Sequence, residues 1–304
     1  MSTLLDGNHI AAEIRAEVAS EVKQLVAQGI RPGLAAVLVG DVAASKIYVR
    51  NKVKSCEDLG IYSELITPPA SVTTEEMLDL IHALNDRDDI DGILIQLPLP
   101  AHVDTKALLD AVSPAKDVDG FHPINVGRIQ AGRPALAPCT PAGIIEILRR
   151  SRIPIAGAHA VIVGRSDIVG KPAAMLLLHE HATVTICHSK TRDLAAVTRQ
   201  ADILVAAIGR PGFITPDMVK PGATIIDVGI NRITSRAEFE RFFAGDAKRE
   251  ATFAAKGATL IGDVHPAAFK LAGAYTPVPG GVGPLTIAML MANTARAAKM
   301  RRGL

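Results

Sequence analysis

The sequence predicts a doubly wound α/β fold, and three observations lead to it. Short apolar runs with β-branched bias alternate with helical patterns, the arrangement that builds parallel sheets covered by helices. Those runs stop at Gly40, Gln96, Gly164, His188, Gly209 and Gly229, and sheets of this kind bind ligands beyond the carboxyl ends of their strands. The chain has 304 residues and is 48% hydrophobic and 21% charged, enough for about two domains with sizeable cores.

Each element follows from its local pattern. Residues 9–28 carry apolar positions at helical spacing, with Gly29 as a stop. A buried strand over 34–39 ends at Gly40, and a helix over 43–59 is closed by Gly60. A strand near 61–66 precedes Pro68 and Pro69, and Thr73 or Thr74 caps a helix over about 74–84. The apolar run 92–97 is a strand that the prolines of 96–100 end. The second series opens with a helix over 141–150, then a strand over 160–163, a glycine turn and a helix over 171–180. Strand 183–187 ends at His188 and Ser189, followed by helix 192–199, strand 202–208 and strand 223–228. The charge-dense stretch 233–257 fits one or two solvated surface helices. A last helix over 284–301 opens at Pro284 and ends in basic residues, which suits the helix dipole.

Bulk properties narrow the function. A net charge of +2 argues against nucleic acid or an anionic membrane surface as partner. No apolar run reaches the roughly 18 residues of a membrane span, and the N-terminus shows no secretory pattern. Cys56, Cys139 and Cys187 are odd in number and widely spaced, as expected of reduced thiols rather than disulfides or metal ligands. A cytoplasmic protein that handles small molecules, without a metal, is the expectation.

Residues 161–172, V-I-V-G-R-S-D-I-V-G-K-P, carry the sharpest signal. A strand, a glycine-bounded turn and a helix N-terminus make a pyrophosphate site, because unpaired N–H groups and the helix dipole both favour anions. The turn lacks the middle glycine of G-x-G-x-x-G; Arg165 and Ser166 stand there, groups suited to phosphate oxygens. An arginine beside the first βα turn favours NADP over NAD. The alternative is that Gly164 and Gly170 only shape a tight turn.

Tyr48 and Lys52 lie four residues apart on a helical pattern and share one face with Ser45. A lysine in a cleft loses solvation, which favours its neutral, basic form, and a nearby phenol can orient a ligand or pass a proton. Taken alone, the spacing better fits a solvated surface pair. Gln96 stands at a strand end, and Asp119 precedes Gly120 in K-D-V-D-G, where a carboxylate can accept two parallel N–H bonds from a heterocycle; each alone also fits a turn or cap. The loop 276–284, T-P-V-P-G-G-V-G-P, is rigid and exposes backbone groups to a flat ligand.

These segments together resemble the bifunctional methylenetetrahydrofolate dehydrogenase/cyclohydrolases, the FolD family. The resemblance runs in order over nearly the whole chain: 39–52, I-Q-L-P-L-P at 95–100, K-D-V-D-G at 116–120, P-C-T-P at 138–141, 163–172, C-H-S-K-T at 187–191, I-D-V-G-I-N at 226–231 and the 276–284 loop. It implies two α/β domains around a cleft, the second a Rossmann-type NADP-binding domain. The implied spans are 1–139 plus 275–304 for folate and 140–274 for NADP, with an insert near 233–257 that departs from the family's usual short passage to G-D-V. The implied activity is NADP-dependent oxidation of 5,10-methylenetetrahydrofolate, then hydrolysis to 10-formyltetrahydrofolate. Lys52 would be catalytic, Tyr48 would position substrate, and Gln96 would tune the lysine. Asp119 would hold the pterin, with Pro279, Gly280, Gly281, Val282 and Gly283 contacting folate. Gly164, Arg165, Ser166, Ser189 and Ile230 would contact the cofactor. A homodimer is implied as well. Three rivals stay open: an NAD-linked dehydrogenase without the second activity, against which Arg165 and Ser189 speak; a dehydrogenase for another substrate; and a non-catalytic binder, which would be expected to have lost Lys52 or Asp119.

Overall fold

A computed structural model of the protein describes residues 2–41 and 43–304; of Ala43, Ala44, Ser45 and Ile47 only the backbone is described. The expected alignment of the Ser45 side chain with Tyr48 therefore lies outside the described residues. In chain order the elements are β1 (Thr3–Leu4), α1 (Gly7–Ala27), β2 (Gly33–Val37), α2 (Ala43–Leu59), β3 (Tyr62–Ile66), α3 (Thr74–Asp86) and β4 (Gly92–Ile95). Then come α4 (Thr105–Ala111), α5 (Pro123–Gln130), α6 (Cys139–Arg150), β5 (His159–Val163), α7 (Gly170–His179), β6 (Thr183–Cys187) and α8 (Leu194–Thr198). The remainder is β7 (Ile203–Ala206), β8 (Thr224–Asp227), β9 (Asn231–Ile233), α9 (Arg236–Phe243), α10 (Ala247–Lys256), β10 (Thr259–Ile261), β11 (Ala274–Tyr275) and α11 (Val282–Arg301).

The chain divides into two compact units: Ala11–Cys139 with Thr286–Leu304, and residues 2–10 with Thr140–Leu285. In the first, β3, β2 and β4 form a parallel sheet, with Val37 level with Ile66 and Ile95. Helix α3 covers it through Met77, Ile81 and Leu84, and starts on a capping box in which Glu76 N–H donates to Thr73 Oγ1 and Thr73 N–H to Glu76 Oε2. Beside β4, Asp117 makes a parallel bridge with Ile93, so the K-D-V-D-G segment extends the sheet edge. Helices α4 and α5 are not marked in the sequence, because each is too short to show a period.

In the second unit, six parallel strands lie in the order β1-β11-β8-β7-β5-β6. The expected domain spans shift here for one reason. Thr3 and Leu4 pair with Ala274 and Tyr275, which pair in turn with Thr224 and Ile225. Residues 2–10 and 275–285 therefore go with this sheet, not with the 1–139 unit. The core is Val161, Val163, Leu204, Ala206, Ile225 and neighbours, the continuous apolar strands of a sheet buried on both faces.

The 233–257 stretch folds as α9 and α10, the upper count expected. It is more than a solvated surface, however. Phe239, Phe242 and Phe243 are buried with Ile233 and Ile261, and β9 pairs antiparallel with β10 across the base of the insertion. The aromatics were hidden by the charge density around them.

Candidate active site

In the 11–139 unit, Lys52 sits one turn after Tyr48 on α2. Lys52 is 8% exposed, whereas Tyr48 is 44% exposed with its ring toward solvent. The Lys52 ammonium donates to Gln96 Oε1 at 3.0 Å, and Gln96 Nε2 donates to the Leu97 carbonyl at 2.8 Å, which fixes the amide with its oxygen toward the lysine. Gln96 stands just past β4, anchored by its own N–H on the Val37 carbonyl. This is a paired lysine and carboxamide at a strand end, not a solvated surface pair.

The K-D-V-D-G run sorts into distinct duties. Lys116 Nζ donates to the carbonyls of Leu84, Asn85 and Arg87 and so closes the C-terminus of α3; burial lowers its pKa to about 8. Asp117 accepts from the N–H groups of Phe121 and His122 and from Asn125 Nδ2, shaping the turn into α5. Asp119 lies within electrostatic reach of the lysine. It keeps partial exposure, yet the surrounding protein desolvates its carboxyl and pushes its pKa to about 6, with the Lys52 charge opposing and Asp117 adding.

One residue behind this site was not foreseen. Asn293, on α11 and buried, donates through Nδ2 to the carbonyls of Val118 and Ala137, both at 2.8 Å. Its amide staples the segment that carries Asp119 to the segment that leads into α6. Gly120 makes that approach possible: a Cβ there would strike the backbone of Ala137 and Pro138, and its φ is +72°. The signal available in the sequence was a lone carboxamide inside the apolar A-M-L-M-A-N-T-A run.

In the other unit, β5 and β6 lie side by side with Val163 opposite Cys187, so the turn at Gly164–Ser166 adjoins His188–Ser189. Gly164 N–H donates to the Cys187 carbonyl, and a Cβ on Gly164 would collide with the Ala207 carbonyl. A Cβ on Gly170 would collide with the Gly164 carbonyl, so both glycines are required by close backbone approach. Ser166 Oγ accepts from the N–H groups of Val169 and Gly170 and thereby starts α7; its hydroxyl proton remains a donor for a phosphate oxygen. Arg165 and Ser189 are exposed at these adjacent strand ends. The turn thus suits a dinucleotide: a glycine cradle, a helix N-terminus and an exposed guanidinium and hydroxyl of the kind that phosphate oxygens accept from.

Two buried carboxylates shape the rest of this rim. Asp227 accepts from the N–H groups of Gly229, Asp263 and Val264, while burial raises its pKa to about 7. Asp263 accepts from the N–H groups of Ile208, Gly209 and Arg210 and from Asn231 Nδ2. The sequence does not mark either one, because a single Asp in I-D-V-G or G-D-V carries no sign of burial. Ile230 is 48% exposed on the turn they hold, close to Gly283. In the 279–283 loop, Pro279 is exposed, Gly280 and Gly283 are partly exposed, and Gly281 and Val282 are buried. This loop belongs to the same unit as Gly164, not to the unit of Lys52.

Anion-cradling strand ends in one unit and acid–base side chains in the other define a class, the dinucleotide-linked enzymes. Comparison with known proteins narrows it. Residues 5–119 match the tetrahydrofolate dehydrogenase/cyclohydrolase catalytic domain, and residues 138–302 match the NAD(P)-binding domain of the same family. The chain belongs to the tetrahydrofolate dehydrogenase/cyclohydrolase family. It is 70% identical to the bifunctional protein FolD of Koribacter versatilis, covering 100% of this chain and 99% of that one. Its fold matches the bifunctional FolD of Campylobacter jejuni with a TM-score of 0.90 at 42% identity, covering 99% and 100% of the two chains. A Trypanosoma brucei methylenetetrahydrofolate dehydrogenase-cyclohydrolase, solved with NADP cofactor and inhibitor, matches with a TM-score of 0.88 at 37% identity, covering 100% and 99%. Among the described residues no helix is long and apolar enough to cross a membrane, and no group of three His, Cys, Asp or Glu is placed to hold a metal ion.

Proposed function

We infer that the chain oxidises 5,10-methylenetetrahydrofolate with NADP⁺ and hydrolyses the resulting methenyl compound to 10-formyltetrahydrofolate. The observation that carries the second step is the Lys52–Gln96 hydrogen bond beside a desolvated Asp119. When bound, the dinucleotide supplies the hydride acceptor for the one-carbon bridge, and the protein's part in that step is alignment. Arg165 and Ser189, exposed on neighbouring strand ends, would take the 2′-phosphate, with Gly164 and Ser166 at the pyrophosphate and Ile230 at the rim.

Asp119 would hold the pterin through paired N–H bonds, Tyr48 would lie along the substrate, and residues 279–283 would contact folate. In the hydrolysis, water adds to the methenyl carbon with loss of a proton. The C–N5 bond then opens as the hydroxyl proton leaves and N5 gains one. Lys52 would assist the water's attack and these transfers, while Gln96 holds its Nζ in place. A homodimer and a cytoplasmic setting belong to the same reading; three buried free cysteines suit a reducing compartment, and light scattering on the purified protein tests the dimer.

The deciding experiment is time-resolved absorption with 5,10-methylenetetrahydrofolate and NADP⁺ on the native chain and on Lys52→Met. The native chain forms NADPH without lasting methenyl accumulation. In the variant the methenyl compound should persist and decay only at its spontaneous rate. Enzymatic hydrolysis retained by Lys52→Met would remove the lysine from the mechanism.

A further inference from the structure

We propose that Arg249, on α10 of the 233–257 stretch, is a positioning residue for the 279–283 loop and thereby sets affinity for the folate substrate. The proposal rests on the reading of that loop as folate-contacting. Arg249 reaches out of the stretch with both arms of its guanidinium. Nη2 donates to the Val278 carbonyl at 2.5 Å, the residue immediately before Pro279. Nη1 donates to the Leu260 carbonyl at 2.8 Å and to Thr259 Oγ1 at 3.4 Å, and the group lies 4.8 Å from the centre of the Phe243 ring. The stretch's aromatic core therefore aims a planar, partly buried cation at the start of the loop.

That bond holds the loop on its cavity side. Pro277 and Val278 line a cavity of about 460 Å³, whose wall also includes Arg249, Phe243 and Ile261. On the other side the loop is tightly clasped. A Cβ on Gly7 would collide with the Gly281 carbonyl, and one on Gly280 would press on the Asn8 amide at 2.8 Å. Releasing Arg249 would let residues 277–279 relax into the cavity while residues 280–281 stay clamped. The dinucleotide rim keeps a support of its own, because Asp227 accepts from the N–H groups of Asp263 and Val264 whatever Arg249 does.

The test measures KM for 5,10-methylenetetrahydrofolate, KM for NADP⁺, kcat and melting temperature for the full chain and for Arg249→Met, Arg249→Lys and Gly280→Ala. Arg249→Met should raise the folate KM about tenfold, the scale of one charge-assisted hydrogen bond. Its kcat and NADP⁺ KM should stay within about twofold of native. Arg249→Lys, whose ammonium can still reach one carbonyl, should fall between native and Met. Gly280→Ala distorts the loop directly at a φ of +99° and should raise the folate KM on its own account. An unchanged folate KM in Arg249→Met beside a raised one in Gly280→Ala would overturn the role of Arg249 and leave the loop reading standing. Unchanged folate KM in both would overturn the two together. Equal rises in both substrates' KM with a lowered melting temperature would reduce Arg249 to a structural residue. Should the Met variant not fold, the Lys variant decides: a folate KM raised several-fold alone supports the proposal, and a native value overturns it.

Discussion

Asp119 carries a cost in stability. Its carboxyl pKa stands at about 6 against an ordinary 3.8, because the surrounding protein strips its solvation faster than the Lys52 charge can compensate. A folded state that holds a proton more tightly than the unfolded chain loses stability as pH rises through the interval between the two values. The loss is therefore absent below about pH 4 and complete above about pH 6. Asp119→Asn should be more stable than the native chain at pH 8 by on the order of 2 kcal/mol, with the gain shrinking to nothing toward pH 4. Denaturant melts at the two pH values measure this, and an equal gain at both would disprove it. The same variant should bind folate poorly, since an amide cannot accept two parallel N–H bonds. Lys116 and Asp117, three and two residues away, would behave differently: each is bound to backbone or to Asn125, and its loss should register as instability.

Among the elements, α9 and α10 show most clearly what a sequence reveals and what it hides. Their helical nature and surface position follow from the charge pattern, but which face turns inward does not, because Phe239, Phe242, Phe243 and Phe253 are spread among arginines and glutamates. Arg236 and Arg241 lie over Phe239 and Phe242, so the charged residues themselves cover the rings. Phe239→Ala empties the centre of this cluster and should cost about 3–5 kcal/mol locally. Proteolysis should then appear within 236–256 while the rest of the chain resists, and cleavage spread over both units would contradict a self-contained cluster. The strands and glycine turns were legible for the opposite reason. Runs such as Val161–Val163 are uniformly buried, and Gly164 and Gly170 have no substitute at their backbone contacts. Lys52, Tyr48, Gln96 and Asp119 could be picked out only jointly, since each alone resembles an ordinary surface or turn residue. Asn293 acts across 175 residues of sequence, a separation that no local pattern records.

At the scale of the whole molecule, ligand and stability are linked. A dinucleotide that binds only the folded chain should stabilise it by about 2.7 kcal/mol at a hundredfold excess over its Kd, a melting shift of roughly 4 °C. With Arg165→Ala the NADP⁺ shift at the same concentration should fall by about half, while the smaller NAD⁺ shift stays as in the native chain. Equal losses with the two nucleotides would remove the 2′-phosphate from Arg165. Differential scanning fluorimetry reads all four combinations.

The order in which the chain is made meets the order in which it can fold. The Ala11–Cys139 unit lacks α11 until residues 286–301 exist. It is α11 and its tail that supply Asn293 to Val118, Met291 to Cys56, Lys299 to Glu21, and Arg301 and Arg302 to Asp91. At ribosomal speeds of about 5–20 residues per second, translating 140–285 in between takes on the order of ten seconds. Throughout that interval Val118, Cys56, Glu21 and Asp91 are without these partners. The piece synthesised first is finished last, and Asp91 waits for a cation translated 210 residues after it.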